Sequence, residues 1–115
     1  MSPSLLDFLR HIEHECAFIL RVSKAKSRNE IEEDELLNKG IVRSLEIIGE
    51  ATKKLPEEIK SKYTAVHWEE MAGMRDVLIH HYFGVDYDVV WNTITKDIPE
   101  LYQQLKQIIE AESRG

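Results

Sequence analysis

Apolar residues recur with a helical period along most of the chain. Leu5, Phe8, Leu9, Ile12, Cys16, Ile19 and Leu20 fall at i, i+3, i+4, i+7, i+11, i+14 and i+15, one stripe of a 3.6-residue helix. This pattern predicts a helix over residues 5–26. Its cationic end, Arg21 to Arg28, suits the negative end of a helix dipole. A second helix is expected over residues 30–54. Asn29 and Glu32 read as its capping box, and Ile31, Leu37, Ile41, Leu45 and Ile48 form its apolar face. Lys53 and Lys54 close its last turn, with Pro56 just beyond. Residues 56–66 read as a short helical turn and a loop. A third helix is expected from His67 to His81, with Trp68, Met71, Met74 or Arg75, Leu78 and Ile79 inward. Gly84-Val85-Asp86 breaks the pattern, and Asp86 is placed to cap a fourth helix starting at Tyr87. Pro99 must kink or restart that helix. Leu101, Leu105, Ile108 and Ile109 carry the apolar face to the end. The expected architecture is all-α, an up-and-down bundle of four or five helices joined by short loops.

Composition supports this reading. The chain has 115 residues, 43% hydrophobic and 31% charged, the length and balance of a single globular domain spanning 1–115. Five glycines and three prolines are too few for the turns of an all-β fold. The one cysteine, Cys16, excludes an intrachain disulfide and a cysteine-based zinc site within one chain. It lies on the apolar stripe, where a buried small hydrophobe is expected. No apolar run reaches the length of a membrane span, and no basic leader precedes the first helix. A reducing cytosol is the expected compartment. The net charge of −6 argues against coating nucleic acid by charge alone. One basic stretch stands out: Arg21, Lys24, Lys26 and Arg28. An acidic run follows it directly: Glu30, Glu32, Glu33, Asp34 and Glu35. Helix ends dressed for their dipoles explain both runs. The competing reading makes the four cations, with Lys53 and Lys54, contacts for an RNA backbone.

His11 and His14, three apart on one helix, resemble part of a metal site, but no third ligand is evident and the zinc-enzyme spacing is absent. They read as a solvated helix face, and no metal is expected. The segment Arg75-Asp-Val-Leu-Ile-His80-His-Tyr82 is different in kind, because it gathers an arginine, an acid, two histidines and a tyrosine beside a glycine break. On one helix Asp76 and His80 are four apart and can touch. A carboxylate there favours the protonated imidazole. Arg75 and His80 are five apart, about 140° around the axis. A long arginine reaching around the helix, an unwound helix end, or two copies packed across a two-fold axis would bring them to one cleft. Arginine with histidine suits phosphoryl transfer on RNA, the imidazole moving protons and the guanidinium holding phosphate. The structural alternative is a salt-bridge knot between helices formed by Arg75, Asp76 and His80.

Arg75-x4-His80-x-Tyr82 resembles the signature of HepT-type proteins of the HEPN superfamily. Ser44 to Ala51, His67-Trp68, Gly73-Met74, Val85 to Trp91 and Ile98 to Leu101 extend the resemblance from about Leu5 to Ile109. The resemblance implies a HEPN-like, all-α homodimer acting as a metal-independent endoribonuclease, the toxin of a toxin–antitoxin pair. It also implies Arg75 and His80 as catalytic residues, Asp76 in support, and Tyr82 as the tyrosine that a cognate minimal nucleotidyltransferase antitoxin modifies with AMP. No cofactor is implied. Two other readings remain at this point: a non-catalytic nucleotide-binding subunit of such a nucleotidyltransferase, and a scaffold dimer whose motif is structural.

Overall fold

In a computed structural model, residues 4–74, 76 and 84–114 are described. Every regular element among them is helical. In chain order they are α1 (Leu5–Ser23), α2 (Arg28–Glu33), α3 (Glu35–Lys53), α4 (Glu57–Lys62), α5 (Trp68–Ala72), α6 (Tyr87–Asn92), a π-turn (Thr93–Asp97) and α7 (Ile98–Arg114). The all-α bundle expected from periodicity is observed. Among the described residues three helices are long, α1, α3 and α7, and the rest are one- and two-turn pieces.

The long helices form because each carries one apolar stripe and a defined start. Ser4 caps α1 by accepting from the Asp7 amide at 3.2 Å, while the Asp7 carboxylate accepts from the Ser4 amide at 2.9 Å. The helix stops at Ser23, short of the expected residue 26, because Ala25 turns into the left-handed region at φ 60°. The second expected helix is two helices. Its cap is Ser27, paired with Glu30 in a capping box, and not Asn29, which lies inside α2. Asp34 is extended (φ −89°, ψ 97°), so it ends α2 and starts α3, its carboxylate accepting from the Leu37 amide at 3.0 Å. The half-turn between them is held by Asn38. Its buried side-chain amide donates to the Glu32 carbonyl at 3.0 Å.

The predicted stripes are the core. Leu9, Ile12, Cys16 and Ile19 of α1 meet Ile41, Leu45 and Ile48 of α3 and Ile98, Leu101, Leu105 and Ile108 of α7. α1 packs against both α3 and α7, and α5 packs on α3. α1 and α3 run antiparallel: the Phe18 ring near the end of α1 lies 3.6 Å from where a Cβ on Gly40, early in α3, would stand. The loop after α4 is tied down from two sides. The Trp68 indole N–H donates to the Tyr63 carbonyl at 2.9 Å, and the Tyr63 hydroxyl donates to Glu112 of α7 at 2.5 Å.

Asp86 caps α6 as expected, accepting from the amides of Asp88 and Val89. Pro99 neither breaks the chain nor leaves a plain α-helix. It is preceded by the π-turn, in which the Ile98 amide donates to the Thr93 carbonyl five residues back. A proline ring collides with the carbonyl four residues earlier in a regular helix. The wider turn relieves that collision and lets α6 run on into α7.

Thr93 sits buried in this turn. Thr52 and Thr95 bond back onto their own helices, donating to the carbonyls of Ile48 and Trp91 at 2.7 Å each. The Thr93 hydroxyl instead crosses to the Met74 sulfur at 3.9 Å. A thioether is a weak acceptor, so little is gained for burying the hydroxyl. Thr93→Val is therefore expected to leave stability unchanged or to raise it by up to about 1 kcal/mol, as read from urea unfolding midpoints. A clear loss would show that the hydroxyl bond matters to the fold.

Candidate functional site

Of the residues the sequence marks for chemistry, Arg75, His80 and Tyr82 lie outside the described residues, and so do Leu78 and Ile79, the last two inward positions of the third expected helix. What frames them is described. The first part of that helix is α5, which ends on Gly73, whose amide donates to the Glu69 carbonyl at 3.0 Å. Trp68, Met71 and Met74 all face the core, so Met74 takes the inward position that the periodicity leaves open between Met74 and Arg75. Asp76 is exposed and helical. On the far side the chain returns at Gly84 with φ 149°, a backbone setting that favours glycine.

A partly exposed ion pair then links α2 to the start of α6. The Arg28 guanidinium of α2 binds Glu32 through Nε at 2.9 Å and reaches Asp88 of α6 through a terminal nitrogen at 2.5 Å. Hydrogen bonding to Glu32, and then to Asp88, raises the affinity of Arg28 for its proton. The described residues on either side are thus a buried methionine, Met74, and the Asp86 helix cap with the Arg28–Asp88 ion pair. Sequence reasoning missed this bracket, because nothing in the spacing of Arg28 and Asp88 announces a contact sixty residues apart.

The six expected RNA-backbone cations do not form one surface. Arg28 is committed to two carboxylates. Arg21 lies over the Phe18 ring at 5.6 Å. Lys24 and Lys26 are exposed beyond the end of α1. Lys53 and Lys54 close the other end of α3, about 20 Å up the bundle from Gly40 at 1.5 Å per residue.

His11 and His14 are exposed, and His11 stands 3.8 Å from Glu15. Among the described residues no three His, Cys, Asp or Glu side chains gather as a metal site. A cleft of about 500 Å³ opens between α4 and α5, with Glu57, Glu69 and Glu70 set against Lys60 and His67. Three carboxylates against one lysine and one histidine disfavour an anionic ligand there. Nearby, burial and the charges of Glu70 and Glu100 raise the pKa of Asp97. Among the described residues no helix is long and apolar enough to cross a membrane.

Cys16 is buried in the core. Burial pushes its thiol up to about 12, with smaller contributions from the charges of Glu13 and Glu15. The folded thiol therefore keeps its proton where the unfolded thiol loses it. This contribution to stability is intact below the unfolded pKa near 9 and lost as pH rises toward 12. Between about pH 8 and about pH 10.5, wild type should lose roughly 2 kcal/mol more stability than Cys16→Ala. Parallel losses in the two proteins would contradict this.

Comparison with known proteins places this framework. The profile of the family described as "Ribonuclease HepT-like" matches residues 12–108, which include the whole Arg75–Tyr82 segment. The chain is 50% identical over 105 residues to "Putative RNase TTE0752" of Caldanaerobacter subterraneus subsp. tengcongensis, covering 91% of this chain and 94% of that one. It is 41% identical to "Putative RNase MJ1216" of Methanocaldococcus jannaschii, over 92% of this chain and 84% of that one. It is 37% identical to "Probable ribonuclease HepT" of Thermococcus cleftensis, over 94% of this chain and 98% of that one. No solved structure gives a significant match. On the extent of the profile match and the end-to-end similarity to these relatives, the chain belongs to the HepT-like ribonuclease family.

Proposed function

We propose that this protein is a metal-independent endoribonuclease that cuts RNA by attack of the ribose 2′-hydroxyl on the adjacent phosphate. One observation carries the reading. The sequence Arg75-x4-His80-x-Tyr82 falls inside the span matched by the ribonuclease family profile. In this mechanism the His80 imidazole takes the proton from the 2′-hydroxyl as the new O–P bond forms. The bond to the 5′-oxygen breaks, and that oxygen leaves with a proton returned by imidazolium. Arg75 binds the phosphate and offsets the charge that builds on its oxygens. Asp76, one helical turn before His80, is a positioning residue that favours the protonated imidazole. The products are a 2′,3′-cyclic phosphate and a 5′-hydroxyl.

The protein acts as a homodimer, with one Arg75 and one His80 from each copy at a shared cleft. It is the toxin of a pair whose partner is a minimal nucleotidyltransferase. That partner modifies Tyr82: the phenol oxygen attacks the α-phosphate of ATP and pyrophosphate leaves. The adenylate phosphate then competes with RNA phosphate for Arg75 and fills the space beside His80, a local charge and packing switch.

The test is incubation of the purified protein with RNA in excess chelator, followed by mapping of the product ends. Cleavage to cyclic-phosphate ends is expected. Ends carrying 5′-phosphate and 3′-hydroxyl would refute the 2′-hydroxyl mechanism, and cleavage that stops with chelator would refute metal independence. The net charge of −6 favours one other reading, a nucleotide-binding subunit of the nucleotidyltransferase. Tight ATP binding in calorimetry, with no RNA affinity and an intact mass free of adenylate, would replace the nuclease reading with that one.

A further inference from the structure

The α1–α3 face carries an apolar groove that the ribonuclease reading does not use. Its volume is about 460 Å³, and Phe18 and Val22 of α1 line it with Asp34, Leu36, Leu37 and Gly40 at the start of α3. Leu36 is 86% exposed and is the one large apolar side chain that the described residues leave in solvent. A lone exposed leucine is ordinary. One standing at the mouth of a groove floored by Phe18, Val22 and Leu37 extends that groove into an apolar patch.

The rim of the groove carries both signs of charge, separated by side. The α1 side ends in Arg21, Lys24 and Lys26, and the α3 side begins with Glu33, Asp34 and Glu35, all exposed. Among the described residues Lys24 and Glu33 form no ion pair, Lys26 stands close enough to Glu30 for its charge to favour that carboxylate, and Glu35 holds Lys39 at 2.8 Å. Because α1 and α3 are antiparallel, the basic and the acidic edge stand at the same end of the bundle. A two-fold axis running along the groove would set α1 of one copy against α3 of the other at that same end. Each basic edge would then meet the partner's acidic edge, and Leu36 of each copy would enter the facing groove. The face of two helices of this length is roughly 27 Å by 20 Å, about 540 Å², the scale of the smaller specific interfaces that bury under about 1,200 Å² in total. Self-complementarity of this kind is the requirement of an isologous contact. It also overcomes locally the repulsion that a net charge of −6 imposes on two copies at large.

We infer that the Phe18–Leu36 groove is a docking surface for a second copy of this chain, apolar at its centre and closed at its edge by Lys24 and Lys26 against Glu33 and Glu35 of the partner copy. Phe18, Val22, Leu36 and Leu37 form this face whether or not the protein cuts RNA. It gives the neighbouring basic and acidic runs a joint role that neither dipole capping nor RNA contact provides.

Sedimentation equilibrium of the whole protein across a concentration series tests it. Leu36→Glu is the first variant, because a side chain 86% exposed is not needed for folding. It should weaken self-association by about 30-fold or more and lower the assembled mass by one two-fold step, with an unchanged circular dichroism spectrum. The second test swaps charge. Lys24→Glu/Lys26→Glu leaves both edges acidic, and Glu33→Lys/Glu35→Lys leaves both basic. Each variant alone should associate more weakly than wild type, and an equimolar mixture should recover the wild-type mass. Wild type that stays monomeric overturns the inference. So does Leu36→Glu that assembles like wild type, and so does a mixture no larger than its parts.

Discussion

His80→Ala is expected to lower RNA cleavage by about 10²- to 10⁴-fold, the range over which a positioned proton-transfer group acts. Its thermal midpoint should stay close to that of wild type. Arg75→Ala is expected to lose a comparable factor through the phosphate. Arg75→Lys should not rescue it fully, because an ammonium does not reproduce the planar fork of guanidinium. Cleavage rates under excess chelator, with circular dichroism on the same samples, give the comparison. A His80→Ala protein that cuts at the wild-type rate would remove the imidazole from the mechanism. One that unfolds instead would support the salt-bridge knot, in which Arg75, Asp76 and His80 hold helices together.

The largest stability effect is expected in the core. Leu45 is fully buried on the face of α3 that meets α1. Leu45→Ala removes most of a buried side chain and leaves a cavity, because the surrounding helices close on it only in part. The expected cost is about 3 kcal/mol, within the 2–5 kcal/mol span of such changes. A domain of this size has roughly 5–15 kcal/mol in total, so the unfolding midpoint should fall by about 10–15 °C. Leu36→Ala, nine residues earlier on the same helix, should move the monomer's stability by less than about 0.5 kcal/mol. Urea titration of both variants checks the contrast. Equal losses would mean that the two leucines do not differ in burial as described.

The contrast between these leucines shows what the sequence made legible. The stripe of Ile41, Leu45 and Ile48 is readable because burial enforces the helical period, and all three are core residues. The same period puts Leu37 on the apolar face and leaves its neighbour Leu36 off it, and Leu37 is partly buried while Leu36 is exposed. Caps were harder. Ser27-x-x-Glu30 and Asn29-x-x-Glu32 both satisfy the capping-box pattern. The choice between them depends on which register buries Ile31, a tertiary matter. Asp34 was hidden as well, since one acid among several at a helix start reads as dipole dressing rather than as the residue that divides two helices.

The candidate site divides in the same way. Its chemical content, the Arg75–His80–Tyr82 spacing, is a local pattern and was legible. Its frame was not. The Arg28–Asp88 pair joins residues far apart in the chain, and the Thr93–Met74 contact depends on a turn that no local propensity predicts. The basic stretch was legible as a composition but not as an arrangement, because only the fold separates Lys53 and Lys54 from Lys24 and Lys26 and commits Arg28 to carboxylates.

The π-turn before Pro99 bears on how chain length can vary among relatives. A turn closed from Ile98 to Thr93 holds one residue more than an α-turn between similarly placed ends. The surplus bulges toward solvent, where Thr95, Lys96 and Asp97 are exposed, while Thr93, Ile94 and Ile98 stay in the core. The extra residue and the proline are therefore one unit. A relative that lacks proline at this position has no collision to relieve and can be one residue shorter here without disturbing either flanking helix. A relative that keeps the proline but loses the residue restores the clash at the carbonyl. Gaps in this stretch and the identity of residue 99 should accordingly change together as the family diverges.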